Sequence, residues 1–355
     1  MFQQLLTIAG NTFTESIRQP IFTVLILVGA LAMVMNQQLA AYTFTDDNKL
    51  LIDMALSTVF LIGLLLAAFT ATGVLSSEIE NRTVLSVVSK PVSRPLFVAG
   101  KYLGVAGAIA VAVHVLSVFA MFAIRHRVMT RASDHIDQPV VVFGLLAVGI
   151  ALGLAAWSNY LFRRVFTSVF VMGLFVSCTV AMVLVLLVSK NWQIQSPWTD
   201  LMANDGQLWQ IYIGLLLIFE AILILTAVAV AASTRLGQIM TLLLCVGVFF
   251  VGLVSNSLSQ WTSQALGVES QIGPFASFAA IWSADIPWHL QLVCGLAQLT
   301  YLLSPNLQFL WPADAITQGN PFGWSYVVTA TAYTGLYITV VLSLAVLLFQ
   351  RREVG

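Results

Sequence analysis

Charge is what this sequence has least of. Of 355 residues, only 8% are Asp, Glu, Lys or Arg, against roughly 25% in soluble domains. A soluble chain so poor in charge could not cover its surface, so lipid is the solvent for most of it, in keeping with 59% hydrophobic residues. A net charge of zero removes any global electrostatic reason to expect nucleic acid as a partner. Cysteine is also scarce. Cys178, Cys245 and Cys294 are odd in number and far apart, which excludes a disulfide framework and any metal-ligand spacing. A thiol in an apolar run behaves as a small hydrophobe. No Gly-rich loop is followed by Gly-Lys-Ser/Thr, so the chain lacks the usual phosphate cradle. His-Glu-x-x-His and Gly-x-Ser-x-Gly are missing too, leaving an intramembrane enzyme unsupported. Residues 1–19 hold Glu15 and Arg18 and no apolar core. They read as a cytoplasmic leader to an uncleaved first span rather than a cleavable signal.

What the chain has is long apolar runs. A span needs about 20 such residues, and eight candidates are predicted: 20–40, 51–75, 97–124, 139–161, 165–189, 209–233, 238–256 and 326–349. Phe162–Arg163–Arg164 and Ser233–Thr234–Arg235 read as tight turns, because arginines at mid-membrane are costly. With the N-terminus inside, ten basic residues are cytoplasmic: Arg18, Arg82, Lys90, Arg94, Lys101, Arg163, Arg164, Arg235, Arg351 and Arg352. Five fall outside: Lys49, Arg125, Arg127, Arg131 and Lys190. The bias has the expected sign, although the cluster Arg125–Arg131 opposes it locally. The expected fold is therefore an all-α polytopic helix bundle in the inner (plasma) membrane.

Two regions do not span. In residues 1–19, Phe2, Leu5, Leu6, Ala9, Phe13 and Ile17 recur at three- and four-residue steps, as in an amphipathic helix lying in the headgroup plane. A soluble cap helix is the alternative. Residues 257–325 lack Lys and Arg and are rich in Trp and Pro, which predicts an extracytoplasmic region touching the outer headgroup layer. Within it, 288–303 is apolar but short and interrupted by Gln291 and Gln298. It reads as a re-entrant or interfacial helix, not a ninth span. Residues 326–355 would be the last span and a short cytoplasmic tail.

The most informative stretch is Ser76–Gly104. Glu78, Glu80 and Arg82 must face water, and Val84, Leu85, Val87 and Val88 form an apolar stripe too short to cross lipid. Pro91 after Lys90 blocks helix continuation. Ser93 can cap the next helix, with Arg94 and Pro95 in its first turn. The expected product is a short cytoplasmic helix kinked off from two spans, a lever that a cytosolic partner can push. The loop spans 76–98.

Here the chain resembles a known family. Glu78–Thr83 (EIENRT), Ser89–Arg94 (SKPVSR) and Gly100–Lys101 are similar to the first cytoplasmic loop of type-2 ATP-binding-cassette (ABC) exporter permeases. The nearest subgroup is the multi-copper-enzyme-maturation or gliding-motility permeases. Asn11–Pro20 resembles the family's connecting helix, Ala231–Arg235 a later cytoplasmic turn, and Leu303–Phe309 (LSPNLQF) a short outer-loop motif. The resemblance implies an ATPase on a separate subunit, with ATP and Mg bound there and no cofactor in this chain. It implies that Glu78, Glu80, Arg82, Thr83, Val84, Leu85 and Val88 form the ATPase-coupling helix. It also implies a second permease chain, as a homo- or heterodimer. The simplest members have six spans; eight are expected here.

Isolated polar residues carry the remaining signals. Glu220 in the sixth span is read either as a contact in the translocation route or at a dimer interface, or as a protonated glutamate hydrogen-bonded inside the bundle. His114 in the third span has no second metal ligand in sight and reads as an internal hydrogen-bonder. Gly100, Gly104 and Gly107 permit close helix contact, at a dimer seam or within one chain. The functional expectation is a permease subunit that performs no catalysis itself. The rival is a secondary transporter or a membrane scaffold without an ATPase.

Overall fold

The computed structural model describes residues 2–42, 47–80, 93–129, 135–265, 281–282 and 287–350. Its helices are α1 (Phe2–Arg18), α2 (Pro20–Ala40), α3 (Asp47–Glu80), α4 (Arg94–His126), α5 (Gln138–Phe162), α6 (Phe166–Leu187), α7 (Pro197–Leu201), α8 (Ala203–Ser233), α9 (Gln238–Ala265), α10 (Trp288–Leu303), α11 (Ala313–Thr317) and α12 (Trp324–Gln350). Among the described residues there is no strand, only an isolated bridge between Val188 and Ile194. Among the described residues, eight helices are long and apolar enough to cross a membrane, and they match the eight expected spans: α2 to α6, α8, α9 and α12. α9 runs on to Ala265, past the expected end at 256.

The core is built on three helices. α3, α4 and α8 bury 61%, 72% and 78% of their most apolar windows, whereas α5, α9 and α12 bury 22%, 22% and 17%. α2 packs on α3, α5 pairs with α6, and α12 packs on α8. The poorly buried helices leave Leu145, Leu146, Ile239, Leu243, Val340 and Leu344 exposed. In a chain solvated by lipid, that exposure carries no penalty.

The turns gather at two opposite ends. At one, Thr167 Oγ1 donates to Arg18 O (3.0 Å), and Arg235 Nη2 and Nε donate to Leu348 O (2.7 and 3.1 Å). Phe97 stacks on Phe349 there. Both predicted tight turns lie at this end. α5 stops at Phe162, with Arg163 in the left-handed region, and α6 starts at Phe166. At the other end, Val128 N donates to Asn48 Oδ1, Gln37 meets His126, and Trp192 Nε1 donates to Gln138 Oε1.

α1 forms as expected, and Leu5, Ala9, Phe13 and Ile17 of the expected stripe do turn toward the bundle, but the stripe's first turn does not. Gln19 is extended, as the residue before a proline must be, and ends it. The side toward the bundle carries Leu5, Ile8, Ala9, Thr12, Phe13 and Ser16, and Thr12 and Ser16 are fully buried. Phe2 and Leu6, placed in the expected apolar stripe, are 72% and 54% exposed. The reason is α4. A Cβ on Gly104 would lie 2.5 Å from Ala9 O and 2.5 Å from Thr12 Cβ, and one on Gly100 would lie 2.8 Å from Ile8. The bare backbone of α4 lets α1 pack down on its small residues. Gly100, Gly104 and Gly107 thus serve packing within one chain, where Gly107 faces Phe13.

α10 is re-entrant. It packs on α9 and ends at Ser304, after which the chain runs back beside α9 and α12. Tyr337 Oη donates to Leu303 O (2.9 Å), Asn306 N donates to Tyr333 Oη (2.7 Å), and Tyr326 Oη donates to Phe309 O. Going from 303 to 309 therefore climbs α12 from Tyr337 to Tyr326. Tyr337 lies about 20 Å along α12 from its start, so the segment reaches that far along α12, with the Leu303 side chain exposed at its turn. Gly252 O accepts from Leu307 N (3.2 Å), and a Cβ at Gly252 would meet Pro305 O at 2.6 Å. Irregular backbone at membrane depth is tolerated only when protein satisfies it. Here three phenols and a bare helix backbone do so.

Candidate functional site

The loop between α3 and α4 is where the sequence concentrated its signals. α3 continues unbroken to Glu80, so Glu78 and Glu80 ride on the end of that span. They do not open a separate helix, which corrects the expected start of the lever at Glu78. Helix propagation costs less than a break, and no proline or glycine occurs between Gly73 and Glu80 to impose one. Arg82, Thr83, Val84, Leu85, Val88, Lys90 and Pro91 lie outside the described residues. Beyond them Ser93 takes the N-cap position with extended backbone, and Pro95 follows in the first turn as expected. Its hydroxyl makes no capping bond; its carbonyl accepts from Phe97 N at 3.1 Å. Arg94 opens α4 and is exposed.

α3 and α4 are 34 and 33 residues long, about 50 Å each, against a hydrocarbon core of about 30 Å. They overrun the core, and α1 braces the loop end of α4. Lys101, expected at the interface, is buried on that contact. Its Nζ lies 3.9 Å from Glu15 Oε2 and 5.7 Å from the centre of the Phe97 ring. Gln19 reaches Gly73 of α3 from the same side.

Glu220 lies midway along α8 and is 5% exposed. Thr331 Oγ1 donates to its Oε1 (2.6 Å), and Thr334 Oγ1 approaches Oε2 at 3.4 Å. Both threonines belong to α12, so the carboxyl joins the core to a peripheral helix. Thr331 is also 2.9 Å from Val327 O and shares one hydroxyl hydrogen between the two acceptors. Of the two readings of Glu220, the geometry is that of a hydrogen-bonded group inside the bundle. His114 Nε2 is 2.8 Å from Thr179 Oγ1, and its ring lies against Phe175. It ties α4 to α6. Among the described residues no three His, Cys, Asp or Glu side chains gather as a metal site. All three cysteines are free and buried.

The strongest polar cluster is one the sequence did not reveal. Arg125, expected in an outer loop, is in the last turn of α4 and is 8% exposed. Its Nε lies 2.9 Å from Asp200 Oδ2 and 3.7 Å from Asp137 Oδ2. Nη2 donates to Val188 O (2.6 Å) and Nη1 to Val185 O. Asp137 is itself the N-cap of α5, accepting from Val140 N at 3.4 Å. One guanidinium thus fastens the ends of α4, α5, α6 and α7. This is the physical reason for the charge-bias exception: Arg125 is neutralised by two carboxylates and is not a free loop charge. The Asp-x-Pro start of α5 was a visible capping signal; nothing in the sequence links position 125 to 200. The tyrosines holding the re-entrant segment were also missed, although 326, 333 and 337 fall on one helical face.

The assembly is a helical bundle with long core helices overrunning the membrane at a charged loop and an N-terminal helix braced beneath them. No curated protein matches the chain. A family model described as ABC-2 family transporter protein matches residues 6–202, more than half of the chain, from α1 through α7. The chain belongs to the ABC-2 transporter family and is a multi-pass membrane permease component of an ABC transporter.

Proposed function

We propose that this chain is the membrane-spanning subunit of an ATP-driven exporter in the inner (plasma) membrane, powered by a separate ABC ATPase. A second permease chain completes the translocation path, as a homo- or heterodimer. The N-terminus and the 76–98 loop are cytoplasmic, and the loop is where the ATPase docks. ATP and Mg sit on that partner, and this chain carries no cofactor. The loop's likeness to multi-copper-enzyme-maturation and gliding-motility permeases leads us to assign that subgroup. The observation that carries the reading, beside family membership, is mechanical. The loop joins two of the three core helices, so a push on it enters the bundle through its most buried members. Residues 81–92 between them are too few and too polar to cross lipid.

The test is charge reversal at Glu80 combined with Val84→Asp. Burying an unpaired aspartate in a packed interface costs about 2–5 kcal/mol. A pull-down with the ATPase and a transport-coupled hydrolysis assay should show lost assembly or lost coupling. A double mutant that assembles and couples like the parent would place docking elsewhere. Hydrolysis of ATP by the purified chain alone would overturn the division of labour.

A further inference from the structure

A groove of about 990 Å³ runs along the seam between α5 and α6 and is closed at one end by the C-terminus of α1. Its composition is divided. The body is apolar, with Leu146, Ile150 and Leu154 from α5 facing Met172, Val176 and Val180 from α6. The end carries Arg18, Arg163 and Arg164, all exposed. No carboxylate lines the groove, and among the described residues none of the three arginines is paired with an acid. The fold holds them there deliberately. Arg163 takes the left-handed conformation that ends α5, and Thr167 of α6 donates to Arg18 O, fixing α1 against the turn. Asn159 Nδ2 donates to Arg164 O at 2.7 Å and pins the next residue. The remaining polar lining, Thr14, Ser168 and Ser177, lies mostly toward the same end.

We propose that this groove is a binding site for an anionic phospholipid, with its phosphate among Arg18, Arg163 and Arg164 and an acyl chain along Leu154, Met172 and Val176. Charge complementarity names the head: three guanidinium groups at a helix-end turn, with no neutralising acid, suit a phosphate. Length suits the chain. From Arg163 to Leu146 along α5 is about 25 Å, more than half of a hydrocarbon core of about 30 Å. A free phosphate would use the arginines and leave the apolar body empty, and a neutral lipid would do the reverse. Only an anionic amphiphile matches both halves.

The test uses the full-length chain purified in mild detergent and native mass spectrometry with two added lipids. Phosphatidylglycerol and phosphatidylcholine of identical acyl chains isolate the head; inorganic phosphate as competitor isolates the tail. The parent should retain phosphatidylglycerol in preference by about tenfold or more, and phosphate should not displace it. The triple variant Arg18→Gln, Arg163→Gln, Arg164→Gln should lose the preference. Val176→Trp keeps the arginines and fills the groove, and should lower retention of phosphatidylglycerol severalfold; it remains informative if the triple variant misfolds. Equal retention of both lipids by the parent overturns the proposal, as does retention of phosphatidylglycerol undiminished by Val176→Trp. Displacement by inorganic phosphate overturns it in favour of a simple anion site. A parent dimer that Val176→Trp dissociates overturns it in favour of a second copy filling this face.

Discussion

Arg125→Met removes the charge that fastens four helix ends while leaving a side chain of similar reach. The loss can be sized from the geometry. Asp137 is fully buried and Asp200 largely so, and both lose their counter-ion. The carbonyls of Val185 and Val188 lose their donors. Breaking a buried pair by removing one partner costs about 3–5 kcal/mol. At about 2 °C per kcal/mol for a large domain, the unfolding midpoint in detergent should fall by roughly 6–10 °C. Arg125→Lys should recover part of this, because one ammonium cannot serve a carboxylate and two diverging carbonyls in the planar fork that arginine offers. The triple variant Arg125→Met, Asp137→Asn, Asp200→Asn should recover more than half, since it leaves no orphaned charge. The measurement is thermal unfolding followed by tryptophan fluorescence, repeated at low and high salt. A buried cluster should be nearly indifferent to salt. The reasoning fails if Arg125→Met melts within about 2 °C of the parent, or if the triple variant is no better than the single one.

Other outcomes follow from the same contacts. Gly104→Val should detach α1 from α4 and speed proteolysis within residues 2–18, whereas Gly149→Ala, with open space around its Cβ, should change neither. Glu220→Gln should keep both threonine contacts and melt like the parent, while Thr331→Val with Thr334→Val should cost about 1–3 kcal/mol in thermal unfolding by leaving the carboxyl without donors. Single cysteines at Asn191 and Gly237, in a background lacking the native three, should react with impermeant reagents from opposite faces, and so should a pair at Ser86 and Ser270. Labelling of either pair from one face would refute the alternation of spans.

What the sequence could reveal depended on range. Span number and position follow from local hydropathy, since each helix satisfies its own backbone in lipid and needs no partner to be recognised. The turns at Arg163 and Arg235 were legible for the same reason. The face of α1 was legible in part: Leu5, Ala9, Phe13 and Ile17 turn toward the bundle as the stripe predicts. Its hydrophobic stripe is real, but the neighbour is glycine backbone, and against glycine a small face packs closer than a large one. Thr12 and Ser16 therefore go in, and Phe2 and Leu6 stay out. Arg125 was misplaced because charge counting treats each arginine alone, whereas its partners Asp137 and Asp200 arrive from other helices. Residues 81–92 of the expected lever lie outside the described residues, and α3 carries Glu78 and Glu80 on its own last turn.

The re-entrant segment shows how close the sequence came and where it stopped. A largely apolar helix of sixteen residues cannot cross the membrane, which leaves either an interfacial helix or a hairpin that turns back. Deciding between them requires knowing whether donors and acceptors wait at depth for an irregular backbone. They do: Tyr326, Tyr333 and Tyr337 along α12, and the carbonyl of Gly252 on α9. A phenol in a span is ordinarily an interfacial residue. Three on one helical face, running inward from the start of the last span, are more than an interface needs, and their surplus is the trace of a backbone to be satisfied. Without those phenols the carbonyls of Leu303 and Phe309 would lose their donors, and a chain reversal after α10 in lipid would cost more than a helix lying flat on the surface. The tyrosine spacing on α12 therefore selects the hairpin, although it lies in a different element from the one whose path it decides.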